Sequence, residues 1–142
     1  MTETGFVPKA RYMMRALELA AQAAAMGEVP VGAVVVQKST GRIIGEGYNR
    51  READRSPLAH AEIMAIDAAS RTLGGWRLLD SALYVTLEPC PMCAGAILHA
   101  RLEQVVYGTA DPKGGAVDSV EQLFTLPYNW TPEVHAGLLQ AE

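Results

Sequence analysis

The stretch Pro89-Cys90-Pro91-Met92-Cys93 constrains the fold of this chain most, because it holds the only two cysteines. It follows an apolar run at 82–87, which is typical of a buried strand, and it precedes a predicted helix over 91–101. Pro91 suits the first position of a helix, where its missing N–H would have had no partner. The helix N-terminus favours thiolates, so we expect the two sulfurs either to form a redox pair or to bind a metal ion.

A second stretch, Ala59-His60-Ala61-Glu62, favours metal binding by the two cysteines over a redox pair. His60, Cys90 and Cys93 supply three zinc ligands and leave one tetrahedral position open for water, as in catalytic zinc sites. Water on zinc loses a proton near neutral pH, and we predict that Glu62 carries protons as the catalytic acid and base. Because residues i and i+2 of a regular helix point to different sides, we expect His60 and Glu62 not to converge on one point. We therefore infer that Glu62 reaches the pocket beside the metal and does not ligate it. Without the histidine, Cys-x-x-Cys would be equally typical of a thioredoxin-like redox protein.

The composition is that of a globular protein, with 142 residues, 49% hydrophobic and 20% charged. No apolar run is long enough to span a bilayer, and the two closely spaced cysteines favour a reducing cytoplasm. The net charge of −4 arises in the tail, because residues 114–142 hold four acidic residues and no Lys or Arg. Arg50, Arg51 and Arg55 cluster before His60, where they could meet phosphate or form a solvated loop.

Hydrophobic periodicity divides the chain into alternating strands and helices. It predicts helices over 9–26, 59–73, 91–101 and 118–126, and strands over 31–36, 42–49, 82–87, 105–109 and 134–136. The first two strands should form a hairpin, and the third and fourth should be parallel because a whole helix joins them. Gly45 and Gly47 predict a bulge or a close backbone approach. Together these elements indicate a mixed sheet with helices on both faces.

At these motifs the chain resembles the zinc-dependent nucleobase deaminases, whose pattern is H-x-E followed by P-C-x-x-C. Stretches that resemble the bacterial tRNA adenosine deaminase family specifically cover nearly the whole chain, at 28–33, 45–50, 59–65, 83–90 and 111–115. The resemblance implies an α/β protein with the cytidine-deaminase-like fold, a three-layer α/β/α sandwich around a mixed five-stranded sheet. It also implies that residues 1–142 form a single zinc-dependent deaminase domain.

The same resemblance assigns roles to particular residues. It implies one Zn²⁺ per subunit on His60, Cys90 and Cys93, with Glu62 as the proton shuttle. The implied substrate-binding residues are Asn49, Val31, Leu87 and the backbone of Ala61, and the implied RNA contacts are Arg50, Arg51, Asp111 and Lys113. The implied reaction is hydrolysis of adenosine to inosine at the wobble position of a tRNA anticodon stem-loop, by a homodimer and without a membrane.

One feature departs from that family, whose members usually continue past the fifth strand into an amphipathic helix with aromatic and basic residues. This chain ends at residues 138–142, so we expect it to lack most of that helix. The acidic tail keeps open a deaminase of a free base or nucleoside, of the guanine or cytosine type. More distant alternatives are a thiol-disulfide oxidoreductase that uses the two cysteines and an inactive zinc-bound RNA-binding module.

Overall fold

Three helices and five strands follow one another along residues 5–139, the part of the chain that this computed structural model describes. The helices are α1 (Ala10–Ala25), α2 (Ala61–Leu73) and α3 (Pro91–Ala100). The strands are β1 (Gly32–Gln37), β2 (Arg42–Tyr48), β3 (Ser81–Leu87), β4 (Gln104–Thr109) and β5 (Glu133–Ala136). Each of these elements was predicted, and the bounds differ from the predicted ones by at most two residues.

The strands form one mixed sheet in the order β2-β1-β3-β4-β5. Strand β1 is antiparallel to β2 and to β3, whereas β4 is parallel to both β3 and β5. The predicted hairpin and the predicted parallel pair are therefore both confirmed. Because β3 and β4 are parallel, Leu87 pairs with Thr109 at their carboxyl ends, and α3 begins just beyond that edge.

The two faces of the sheet are covered by different helices. On β1, Val34 and Val36 face one core cluster with Met13 and Ala16 of α1, while Ala33 and Val35 face another. That second cluster also contains Ala61, Ala65 and Ala69 of α2 and Ala94, Ile97, Leu98 and Ala100 of α3. Alternate side chains of each strand thus pack in opposite directions, and the predicted three-layer sandwich is confirmed.

The glycines of β2 allow α2 to lie directly against the sheet. A Cβ at Gly45 would overlap the backbone of Ala65, and a Cβ at Gly47 would overlap the backbone of Ala61. The pairing of β1 with β2 also shifts at Ile44, where one extra residue forms a bulge. Both features that the two glycines predicted are present.

The prediction of a helix over 118–126 is wrong. This segment contains only one 3-10 turn, Leu123–Thr125. The backbone N–H of Leu123 donates to the carbonyl of Ala116 at 2.9 Å, whereas an α-helix would pair it with Ser119. The N–H groups of residues 117–119 donate to the carboxylate of Glu88. The segment is thus held by acceptors outside a helical ladder, one of them the buried carboxylate of Glu88.

Two sequence predictions concern the limits of the chain. Among the described residues, no helix combines the length and apolar character that crossing a bilayer requires. The expected loss of the family's last helix falls partly on residues 140–142, which lie outside the described residues.

Candidate active site and metal centre

His60 reaches the site from the residue that precedes α2. Its backbone is extended, with φ −84° and ψ 152°, and the helix begins at Ala61. The restriction on residues i and i+2 of a helix therefore does not apply, because His60 lies outside the helix. His60 and Glu62 line the same cavity, and Glu62 lies outside the three-residue ligand set, which agrees with the expectation that Glu62 reaches the pocket without ligating the metal.

The cysteines enter the site in the same manner from α3. Cys90 is the extended residue before the helix, Pro91 is its first residue, and Cys93 is fully buried in the first turn. The Nδ1 atom of His60 lies 3.7 Å from the sulfur of Cys90 and 3.6 Å from the sulfur of Cys93. Both cysteines are free thiols.

This donor set fits a tetrahedral zinc ion. Zinc bonds of about 2.3 Å to sulfur and about 2.0 Å to nitrogen, at a tetrahedral angle, place the two donor atoms about 3.6 Å apart. The observed separations of 3.6 and 3.7 Å agree with that value. All three donor atoms of His60, Cys90 and Cys93 lie within 4.8 Å of one another. The folded chain alone thus brings a complete three-ligand set together.

The two thiols are electrostatically different. The Cys93 thiol donates to the sulfur of Cys90 and, against the effect of burial, lowers the pKa of Cys90 to about 5, with a further contribution from His60. The same hydrogen bond raises the pKa of Cys93, as do its burial and the nearby carboxylate of Glu62. Cys90 is therefore the thiol that ionises more readily, and metal binding displaces the thiol protons that remain.

Glu62 is the buried carboxyl group beside this ligand set. Only 4% of its surface is exposed. Burial raises the pKa of Glu62 to about 7, and the negative charge of Cys90 contributes in the same direction. A carboxyl group with this pKa can both take up and release a proton near neutral pH.

One cavity of about 200 Å³ joins the ligands to the predicted substrate-binding residues. The lining contains Val31, Asn49, Ala61 and Leu87, together with His60, Glu62 and Cys90. The side-chain oxygen of Asn49 accepts the backbone N–H of Arg51 at 3.1 Å, which leaves the amide nitrogen as the donor available to a ligand. All four substrate-binding residues implied by the resemblance are therefore in one place.

The residues predicted to contact RNA divide into two groups. Arg51 and Asp111 line the cavity. Arg50 lies outside its lining; it forms an ion pair with Asp54 at 3.0 Å and stacks over Tyr48. Lys113 is exposed on the loop that follows Asp111.

Two residues of the cavity lining, Val29 and Glu88, were missed from the sequence. Both lie in stretches that carry the resemblance, and Glu88 directly precedes Pro89 of the cysteine motif. Burial alone would raise the pKa of Glu88, but hydrogen bonds from Ser119 and from three backbone N–H groups lower it to about 2. The sequence feature that could have identified Glu88 was its position directly before the cysteine motif.

Comparison with known families agrees with this site. Residues 8–109 match the family described as the cytidine and deoxycytidylate deaminase zinc-binding region. This match includes His60, Cys90 and Cys93, and the structure supplies the corresponding three-ligand centre. Fold and site together define a zinc-dependent deaminase with one zinc ion.

Comparison with individual proteins identifies the family within the class of zinc-dependent deaminases. The chain is 51% identical to a tRNA-specific adenosine deaminase of Haemophilus influenzae, over 92% of this chain and 76% of that protein. It is 47% identical to the corresponding protein of Bacillus subtilis, over 92% of this chain and 81% of the other. A structure from a study of A-to-I editing by tRNA:A34 deaminases at the wobble position has a TM-score of 0.90 and 44% identity, over 94% and 96% of the two chains. The chain belongs to the tRNA-specific adenosine deaminase family, which confirms the resemblance.

Proposed function

We propose that this chain hydrolyses adenosine to inosine at the wobble position of a tRNA anticodon. The observation that carries the proposal is the buried carboxyl group of Glu62, which shares a small cavity with a zinc ligand set and with Asn49. The similarity to tRNA-specific adenosine deaminases supports adenosine in RNA as the substrate. In the overall reaction water adds to C6 of adenine, ammonia leaves, and inosine remains.

Each residue of the cavity has a role in this reaction. Zinc, when held by His60, Cys90 and Cys93, lowers the pKa of water from about 15.7 to about 7 and so makes a nucleophile available. Glu62 takes the proton of that water at its carboxylate and returns it to the departing amino group. Asn49 donates a hydrogen bond to the base, and Val31 and Leu87 form apolar walls that exclude bulk water.

The size of the cavity supports a base that has left its stack. About 200 Å³ admits a single base but not a paired duplex. Arg51 and Asp111 line this cavity, and Lys113 is exposed nearby on the same loop as Asp111, so we assign them to contacts with the flanking nucleotides and phosphates. These contacts, together with the substrate-binding residues, are part of the proposal.

The direct test is deamination of a short RNA. The zinc-loaded protein is incubated with an anticodon stem-loop that carries adenosine at the wobble position, with the same stem-loop carrying guanosine there, and with free guanine, cytosine and adenosine. We expect inosine and ammonia from the first RNA alone. Turnover of a free base without any change in the stem-loop would establish the free-base alternative and overturn the proposal.

We also propose that residues 1–142 form one domain that acts in the cytoplasm as a homodimer. The exposed surface of α2 and α3 supports self-association, because Trp76 is 55% exposed beside a shallow cavity that Ile63 and Ile66 line. Sedimentation velocity of the purified chain tests the dimer. A monomer at micromolar concentration that is fully active on the stem-loop would overturn it.

A further inference from the structure

Two buried carboxylates flank the active site without belonging to the ligand set. Glu88 is 2% exposed and Glu28 is 6% exposed. Charged residues are rarely this buried unless their oxygens are satisfied. Both carboxylates accept hydrogen bonds from the backbone of a distant loop, and the two loops differ.

Glu88 holds the loop that follows β4. Its Oε1 atom accepts the backbone N–H of Asp111 at 3.0 Å and the hydroxyl of Ser119. Its Oε2 atom accepts the backbone N–H groups of Val117 at 3.1 Å, Asp118 at 2.7 Å and Ser119 at 2.9 Å. Five donors from the 111–119 loop therefore converge on one side chain, which lies two residues before a metal ligand.

Glu28 holds the loop that follows β2. Its two oxygens accept the backbone N–H groups of Glu52 at 3.1 Å and Ala53 at 2.8 Å. Glu28 itself is fixed by its own N–H, which donates to the carbonyl of Ala23 at the end of α1 at 3.0 Å. The 50–58 loop is thus attached to the segment that leads into Val31 of the cavity.

Each loop carries one polar residue of the cavity lining. Arg51 precedes the two residues whose N–H groups Glu28 accepts, and Asp111 is itself a donor to Glu88. The positions of Arg51 and Asp111 relative to the metal ligands therefore depend on the two carboxylates. Loops of this length would otherwise vary in conformation, and ordering them on binding would reduce affinity.

We propose that Glu28 and Glu88 are positioning residues, which hold the 50–58 and 111–119 loops in the arrangement that receives the RNA around the target base. The inference rests on the proposed function for the identity of the substrate. It assigns neither residue a part in the chemical step. Loss of either carboxylate should therefore weaken substrate binding more than it slows turnover.

Replacement by glutamine isolates this role because the shape is kept and one acceptor becomes a donor. In Glu88→Gln, the amide nitrogen must face either the three N–H groups at Oε2 or the N–H and hydroxyl at Oε1. At least one hydrogen bond is therefore lost in either orientation, because the Ser119 hydroxyl can accept from the amide but the Asp111 N–H cannot. In Glu28→Gln one of the two hydrogen bonds to the side chain is lost.

The test measures loop protection and kinetics on the same variants. Hydrogen exchange of the zinc-loaded protein should show faster exchange of the Asp111 and Val117–Ser119 amides in Glu88→Gln, and of the Glu52 and Ala53 amides in Glu28→Gln. With the stem-loop, KM should rise about tenfold or more for Glu88→Gln, the effect of losing one charge-assisted hydrogen bond, while kcat falls less. Zinc content should stay at one per chain. Glu46→Gln, outside the site, is the matched control and should change none of these quantities.

The outcomes separate the inference from the proposed function. Faster loop exchange with an unchanged KM would overturn the inference and leave Glu88 and Glu28 as structural residues. A wild-type chain that leaves the stem-loop unchanged would instead overturn the proposed function. If Glu88→Gln does not fold, Ser119→Ala removes a single donor to Glu88 and, with Glu28→Gln, supplies the same comparison. Unchanged KM in both would again overturn the inference.

Discussion

Gly47 of β2 lies directly against the carbonyl group of Ala61, the first residue of α2. The absence of a side chain at Gly47 sets how closely the helix approaches the sheet, and thereby where its N-terminus lies. His60 and Glu62 flank Ala61 in the chain, so this contact also locates a metal ligand and the proposed proton shuttle. Packing between two secondary elements thus determines the position of the chemistry.

Replacement of Gly47 by alanine should therefore destabilise the protein. The added Cβ would overlap backbone atoms that have no free space, and overpacking of this kind costs about 1–3 kcal/mol. Denaturant unfolding measures the change in the free energy of unfolding. Gly75→Ala is the matched control, because a Cβ there meets no atom within 4 Å. Equal stability of the two variants would show that the contact is unimportant.

Glu62→Gln should strongly reduce turnover without releasing the metal. The amide keeps the volume of the buried side chain but cannot take up or return a proton, and losing a general acid and base costs about 10²–10⁴-fold in rate. Ammonia release on the stem-loop measures the rate, and metal analysis measures the zinc. A variant that retains wild-type kcat would remove Glu62 from the mechanism; loss of zinc would show that it supports the ligands.

Removal of zinc should lower the melting temperature. The ion links the N-terminus of α2 to that of α3, so it binds the native state in preference to the unfolded chain. Thermal melts with and without a chelator measure the shift. His60→Ala, which lacks one ligand, should already melt lower and should respond less to the chelator. An unchanged wild-type melt would confine the role of the metal to catalysis.

The ion pair between Arg15 and Glu46 should make a small, pH-dependent contribution to stability. Two hydrogen bonds, at 2.7 and 2.9 Å, join the guanidinium to the carboxylate and hold the pKa of Glu46 below its ordinary value of 4.5. The stabilisation is therefore complete above about pH 4.5 and is lost as the pH falls through the lower folded-state pKa. Both side chains are more than a third exposed, so the effect is about 0.2–1 kcal/mol.

The difference in melting temperature between wild type and Glu46→Gln measures this contribution. We expect the difference to be largest at pH 7 and to shrink as the pH falls below 4.5. Comparing both proteins at each pH cancels the protonation of the zinc ligands, which they share. A difference that grows towards acid pH would contradict the assignment.

Local patterns predicted the elements of the fold because each one is signalled by its own residues. The buried face of α1, with Tyr12, Ala16 and Leu19, follows the helical period, and Gly45 and Gly47 marked the approach of α2. The false helix over 118–126 shows the limit of this method. The start of this segment is held by Glu88, about 30 residues earlier in the chain, and no local pattern reports such a partner.

The three residues predicted as ligands have donor atoms within 4.8 Å of one another, but the sequence placed His60 inside a helix. The sequence assigned His60 to a helix because the helical pattern extends back to Ala59. In the structure the backbone at His60 is extended, and the helix begins at Ala61. That difference of two residues changes the direction of the imidazole. The positioning role proposed for Glu28 and Glu88 could likewise not be predicted from the sequence, because it depends on loops whose path only the tertiary structure defines.

The origin of the ligands in two separate helix N-termini has a consequence for how the protein matures. His60 and Cys93 stand 33 residues apart in the chain, and they meet in a sheet where β1 pairs with both β2 and β3. An unassembled chain offers at most the two cysteines as a weak partial chelate. Tight metal capture by all three ligands therefore requires the native neighbours of these strands to be in place, so zinc retention reports on correct assembly of the sheet.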